Sequence, residues 1–213
     1  LKSRVPHTFS GGTTATWAGT KVEYDLVGRP ISQTVPTEVN SSWAAAGDDA
    51  TRGFLWTHQK YDWKGRVVRK INTDGTDSPS LNDSDVLISY EGCGCAGGQI
   101  TTVESEKVPV PGQSYSARRI QKVYEDIQGR TFKSEALNWD GTNVYTSTEQ
   151  KFHGRDQVIE SIHYAGPVTS TTHQSTIATY DGHGRLKTQH LPQQSTNTYT
   201  GFDYYADDRL HVK

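Results

Sequence analysis

Tyr24-Asp25-Leu26-Val27-Gly28-Arg29 reads YDLVGR, and the same frame returns as YDWKGR at 61–66 and YDGHGR at 180–185. Gly-Arg pairs stand at 28–29, 65–66, 129–130, 154–155 and 184–185. The wide gap between the second and third holds YEGCGC at 90–95, with Cys95 in the arginine's place. Worn copies are EDIQGR at 125–130 and QKFHGR at 150–155, and the tail YYADDR at 204–209 puts Asp208 where the glycine belongs. Seven repeats then follow one another at intervals of 24 to 37 residues, and a fixed recurrence of this kind marks a repeat architecture.

Each repeat has the chemistry of a β-hairpin. Strand-favouring residues lead in, as in Thr176-Ile177-Ala178-Thr179-Tyr180 or Val86-Leu87-Ile88-Ser89-Tyr90. The aspartate can fold its carboxylate onto backbone N–H groups two residues on. The glycine supplies the positive φ that closes the loop. A second strand leaves after the arginine, as in Val67 through Ile71 or Gln157 through Tyr164, where Val158, Glu160, Ile162 and Tyr164 share one face by period-two alternation. Asp-Gly turns follow in NTDGT (72–76) and NWDGT (138–142). One hairpin is marginal in water, so neighbours must pair side by side. The fold class expected is all-β: tandem antiparallel hairpins over 1–213 in one repeat domain, forming a curled sheet, a barrel or a fragment of a shell. Residues 35–57 and 77–85 read as loops on one rim, with a short helical turn near Trp43–Ala46, and VPVPG at 108–112 reads as a linker or edge segment because proline cannot donate to a ladder.

Composition narrows the function classes. Hydrophobic residues make up only 32% of the chain, so its 11 tyrosines must supply much of the buried area, each buried hydroxyl then needing a partner. A formal charge of −2 with mixed signs disfavours nucleic acid, which calls for a basic face. No apolar run reaches the length of a membrane span. The chain opens at Leu1 without any methionine, which reads as a processed product or an excised piece. Two cysteines make no disulfide framework.

With these residues in place, the chain resembles the YD-repeat, or RHS-repeat, family. Tyr24, Asp25, Gly28 and Arg29 carry the resemblance, as do Tyr61, Asp62, Gly65 and Arg66, and Tyr180, Asp181, Gly184 and Arg185. It implies a spiralling β-sheet found in large bacterial toxins and related proteins, secreted or displayed on the cell surface. It also implies an association with carbohydrate, in a shell that commonly encloses a toxin.

The repeated aspartates read as turn caps, since a catalytic group has no reason to recur in every repeat. The arginines read as partners of carboxylates or of tyrosine rings on neighbouring strands. GCGCAGG at 92–98 reads as a glycine-rich turn; Cys93 and Cys95 supply two thiolates where structural zinc needs four ligands, so neither a metal nor a cofactor is expected. Exposed aromatic rings would stack on sugars, and Trp17, Trp56, Trp63 and Trp139 are the candidates, with Trp63 and Trp139 expected at the surface because both sit in turns. A glycan is thus the partner expected, and unpaired strand edges would permit a homo-oligomer. The competing reading is a glycosidase, whose carboxylates stand about 5 Å apart for retention or about 6.5–9.5 Å for inversion. Asp140 and Glu160 are its candidates, Glu160 because burial on an apolar face would raise its pKa.

Overall fold

The computed structural model describes residues 1–7, 16–72, 84–92 and 98–212. Strands dominate it: β1 (Lys2–His7), β2 (Thr16–Tyr24), β3 (Pro30–Thr34), β4 (Thr37–Val39), β5 (Trp56–Tyr61), β6 (Val67–Ile71), β7 (Asp85–Glu91), β8 (Gln99–Pro109) and β9 (Ser116–Glu125). They continue as β10 (Thr131–Leu137), β11 (Val144–Phe152), β12 (Val158–Tyr164), β13 (His173–Tyr180), β14 (Leu186–His190), β15 (Thr200–Gly201), β16 (Asp203–Tyr204) and β17 (Leu210–Val212). Fifteen strands form one antiparallel sheet in chain order from β1 to β15, with β4 set aside on β2, while β16 and β17 pair with each other. Among the described residues no ladder joins β1 to β15, so the strand order is open and not that of a closed barrel.

The chain packs as two compact units, Leu1–Ser89 with Val103–Arg118, and Tyr90–Thr102 with Arg119–Lys213. In the first, Val39, Ile71 and Val110 are buried together with Ser32, Thr34, Thr37, Glu38 and Asp85. The second buries Leu137, Ile162 and Tyr164 beside Thr102, Glu135 and Ser147. Cores this polar must satisfy their hydrogen bonds internally. Thr34 Oγ1 accepts from the Lys21 N–H at 2.9 Å, Ser147 Oγ donates to the Gly166 carbonyl at 2.6 Å, and the Tyr124 hydroxyl donates to Glu135 at 2.7 Å.

Three local readings are corrected. Residues 35–57 are not simple loop: Thr37–Val39 forms β4, wholly buried against β2. The helical turn lies at Gly47–Asp49 instead of Trp43–Ala46, because Glu38 Oε2 accepts the Asp48 N–H at 2.8 Å and fixes the turn there. Gly47 takes a φ of 57° there, and a Cβ would stand 2.1 Å from the Glu38 carboxylate oxygen, so a larger residue would displace the Glu38 side chain. Pro109 ends β8, and Val110 is buried, with its N–H donating to the Tyr115 carbonyl. VPVPG is therefore a hairpin bend rather than a linker. Of the stretch 77–85, Asp85 opens β7 and is only 2% exposed. Residues 77–83, Cys93 and Cys95 lie outside the described residues, as does most of the 72–76 turn.

Candidate functional site

The YD turns are three-residue hairpin loops with a left-handed closing residue. In the first, the Asp25 N–H donates to the Arg29 carbonyl at 2.9 Å and the Gly28 N–H to the Asp25 carbonyl at 3.1 Å, with Gly28 at φ 84°. Asp25 Oδ1 accepts the N–H groups of Val27 and Arg29, and Oδ2 accepts Arg29 Nε at 2.7 Å. Asp62, Asp126 and Asp181 repeat all three bonds with Arg66, Arg130 and Arg185. The Arg185 backbone N–H, aided by its guanidinium, holds the Asp181 carboxyl at about 2. These carboxylates are ionised and fully engaged, which suits a cap and not a proton carrier.

The arginine also reaches forward. Arg29 lies 4.7 Å from the Tyr61 ring centroid, Arg130 4.7 Å from Phe152 and Arg185 4.7 Å from Tyr204. Hydroxyls of Tyr61, Tyr180 and Tyr204 donate to the carbonyls of Pro30, Val158 and Leu186, at 2.7, 2.8 and 2.8 Å. Each accepting residue directly follows the turn of the preceding repeat. Where the closing residue is aspartate, the earlier arginine pairs with it: Arg130 with Asp156 and Arg185 with Asp208, both at 2.7 Å. Among the described residues, the turns at 25–29, 126–130 and 181–185 thus lock themselves and grip the next.

This geometry moves one repeat. The His153 N–H donates to the Gln157 carbonyl, the Asp156 N–H to the His153 carbonyl, and Asp156 has φ 63°. The frame is FHGRDQ at 152–157, two residues beyond the expected 150–155, because Asp156 and not Gly154 takes the left-handed place. Gly154-Arg155 then lies at the loop tip.

Beside that tip a groove of about 680 Å³ opens in the second compact unit, between the turns at 153–157 and 181–185 and strands β12 and β13. Ile159, Ile177 and Ala178 give it apolar walls, while His153, Arg155, Glu160 and Asp181 give it polar ones. Arg155 Nη1 donates to the Gly182 carbonyl at 2.9 Å, and Glu160 is ion-paired with Lys151 at 2.8 Å. The groove can hold a small polar molecule with an apolar face, but both of its carboxylates already have cationic partners.

The other sequence candidates are scattered. Asp140 is a turn cap: the Thr142 N–H, then the Asn143 side chain and N–H, hold its carboxyl at about 2. Trp17 sits in β2 under the Arg4 guanidinium at 4.4 Å, and Trp56 stacks on His58 in β5. Trp139 is half-buried under Arg119 at 4.3 Å, not exposed as its turn position implied. Trp63 is 88% exposed at a loop tip, and Leu26 and Val27, in the preceding YD loop, are 107% and 74% exposed. Sequence reasoning missed the buried Asp85, which Arg69 and Arg118 both hold. It also missed His153 and Arg155; the latter's place was legible only through the shifted frame. Among the described residues no group of three His, Cys, Asp or Glu is placed to hold a metal, and no helix is long and apolar enough to cross a membrane.

The fold is similar to that of toxin-complex proteins. The crystal structure of TcdB2-TccC3-TEV matches with a TM-score of 0.57 at 13% identity, over 98% of this chain and 12% of that one. A structure of the Photorhabdus luminescens Tc holotoxin pore with a TccC3 mutation matches with 0.56 at 12% identity, over 98% and 11%. The likeness is one of fold, and this chain spans about an eighth or less of those chains' length. No family model and no curated protein matches the chain.

Proposed function

We propose that the chain is a non-catalytic β-repeat module, a length of wall in a larger secreted or surface-displayed toxin-related protein of the YD-repeat kind. One observation carries this reading: the recurring Tyr, Asp and Arg side chains are engaged with one another and with the backbone, within a turn and from one turn to the next. Residues used that way serve shape. The fold likeness to toxin-complex chains supports the same reading. The glycosidase alternative has less support, since Asp140 caps its own turn and Glu160 is paired with Lys151. A screen of chromogenic glycosides tests it: no turnover is expected, and turnover lost on Glu160→Gln would overturn the non-catalytic reading.

A second reading adds carbohydrate binding, and the exposure of Trp63 favours it. The Lys64 ammonium lies over the ring, 5.1 Å from its centroid, and the opposite face of so exposed a ring can stack on the C–H face of a sugar. Binding on a glycan array that disappears in Trp63→Ala is the expected result. Equal binding by the variant would remove Trp63 from the site.

A further inference from the structure

One joint between repeats lacks the guanidinium that closes three others. Arg29 over Tyr61, Arg130 over Phe152 and Arg185 over Tyr204 each stand 4.7 Å from the ring of the next repeat. In the 152–157 turn, His153 and Gln157 hold the places of the paired aspartate and arginine. The Gln157 amide donates to the Gly184 carbonyl at 2.6 Å. Among the described residues no cation covers the ring of Tyr180, the aromatic residue of the next repeat. The strands part at the same place. The β12–β13 ladder runs from Tyr164 opposite His173 to Glu160 opposite Ile177. Beyond it only side chains span the gap, from Arg155 to the Gly182 carbonyl, from Gln157 to the Gly184 carbonyl and from Tyr180 to the Val158 carbonyl. That gap is the groove of about 680 Å³, and Tyr180 lines it. The joint lies inside the sheet, with β11 on one side and β14 on the other.

We infer that this groove binds a small planar organic anion, an aromatic carboxylate, with its ring against Tyr180 and its carboxylate on Arg155. The volume falls within the roughly 300–1,000 Å³ of small-molecule sites. Charge decides the sign of the ligand. Glu160 pairs with Lys151 at 2.8 Å and Asp181 with Arg185 at 2.7 Å, so both carboxylates of the groove are neutralised. Arg155 is exposed, gives Nη1 to the Gly182 carbonyl at 2.9 Å, and has no carboxylate partner among the described residues. Its planar fork keeps donors for both oxygens of a carboxylate, and the His153 ring on the same wall can donate one more bond. Shape decides the rest. Where other joints lay a flat guanidinium on the ring, a flat aromatic group takes its place against Tyr180. Ile159, Ala178 and Ile177, the last 38% exposed, supply the apolar walls. A cationic ligand would suit the bare ring but would meet Arg155 with both carboxylates already taken. The inference goes beyond the wall-module reading, which needs no ligand and would stand if the site failed.

The test titrates the ¹⁵N-labelled chain with naphthoate and follows its amide shifts. Saturable shifts confined to the turns at 153–157 and 181–185 and the adjoining ends of β12 and β13 are expected. Acetate, which lacks the ring, and naphthylmethylamine, which puts a cation on the same ring, should each bind roughly tenfold more weakly or worse. Arg155→Gln changes an exposed side chain at a loop tip and leaves folding intact, and naphthoate affinity should fall roughly tenfold or more. Gln157→Arg restores the guanidinium of the other joints over Tyr180, fills the groove, and should weaken naphthoate by a similar factor, roughly tenfold. Absence of saturable shifts at millimolar naphthoate, equal binding of acetate or of the amine, or unchanged naphthoate affinity in either variant would each overturn the inference.

Discussion

Replacing Asp85 by alanine should unfold the first compact unit selectively. Asp85 is 2% exposed at the start of β7. Arg69 Nε donates to it at 2.6 Å, and Arg118 donates from both terminal nitrogens, one of which also reaches the Ser105 carbonyl at 2.8 Å. Removing one partner of a buried pair costs about 3–5 kcal/mol, because a desolvated charge is left behind. The guanidinium side chains are 24% and 13% exposed, so water screens part of that loss, and about 3 kcal/mol is the expected effect. With a urea slope near ~1.5 kcal/mol/M for a unit of this size, the midpoint falls by roughly 2 M. Tryptophan fluorescence reads the right unit, since Trp17, Trp43, Trp56 and Trp63 lie in it and only Trp139 lies in the other. Substituting Asp85→Leu, Arg69→Met and Arg118→Met together should restore most of the stability, as apolar replacements of buried ion clusters do. The pH dependence has a definite sign. Burial pushes the Asp85 carboxyl up, but the hydrogen bonds from Arg118 and Arg69 outweigh it and hold the pKa below the ordinary value. A depressed folded-state pKa means stability that is complete above the unfolded value, near ~3.9, and is lost as pH falls through the folded one. The gap between native chain and Asp85→Ala should therefore narrow below about pH 4. A midpoint shift under about 0.5 M would refute the assignment of this cluster as the unit's electrostatic centre.

Tyr124 should titrate at about 12, because burial and then its hydrogen bond to Glu135 push the phenol up. The stability it contributes is complete below the unfolded value, near ~10, and is lost as pH rises through the folded one, which an alkaline unfolding curve followed by tyrosinate absorbance would show. Two glycines with the same backbone conformation should respond differently to alanine in urea unfolding. Gly28→Ala, at φ 84° in open space, should cost about 1 kcal/mol. Gly98→Ala, at φ 88° with its Cβ 1.8 Å from the Glu125 carbonyl oxygen, should cost ~3 kcal/mol or more. Tyr180→Phe should lose about 1 kcal/mol of the second unit's stability with its bond to Val158, and Phe152→Tyr should gain a similar amount by restoring that bond in its own grip.

What could be read from the sequence was local. Asp25, Gly28 and Arg29 encode a turn through contacts within five residues, and antiparallel hairpins in chain order follow from repeating it. The 152–157 turn was misplaced because its closing residue is Asp156, and nothing in the string QKFHGRDQ says that an aspartate will hold a left-handed conformation. Its partner Arg130 lies 26 residues earlier, beyond the reach of pattern. Burial of β4 was hidden for a similar reason: Thr37-Glu38-Val39 looks solvated until Asp48 and Asp49 are brought over Glu38. Trp139 looked exposed from its turn, yet Arg119 covers it from β9.

The same logic explains why worn repeats can persist. Each grip has three parts, a guanidinium on a ring, a hydroxyl on a carbonyl and an ion pair to the closing residue, and loss of one is matched by presence of another. Phe152 has no hydroxyl, but Arg130 covers its ring and pairs with Asp156. Gln157 has no guanidinium, yet its amide donates to the Gly184 carbonyl at 2.6 Å while Tyr180 bonds Val158. An aspartate in the left-handed place carries strain that a glycine avoids, and in both described cases, Asp156 and Asp208, the preceding arginine meets its carboxylate. In such a chain the contact between neighbouring turns holds each turn in place, so a residue out of pattern is best judged by what the next turn offers it.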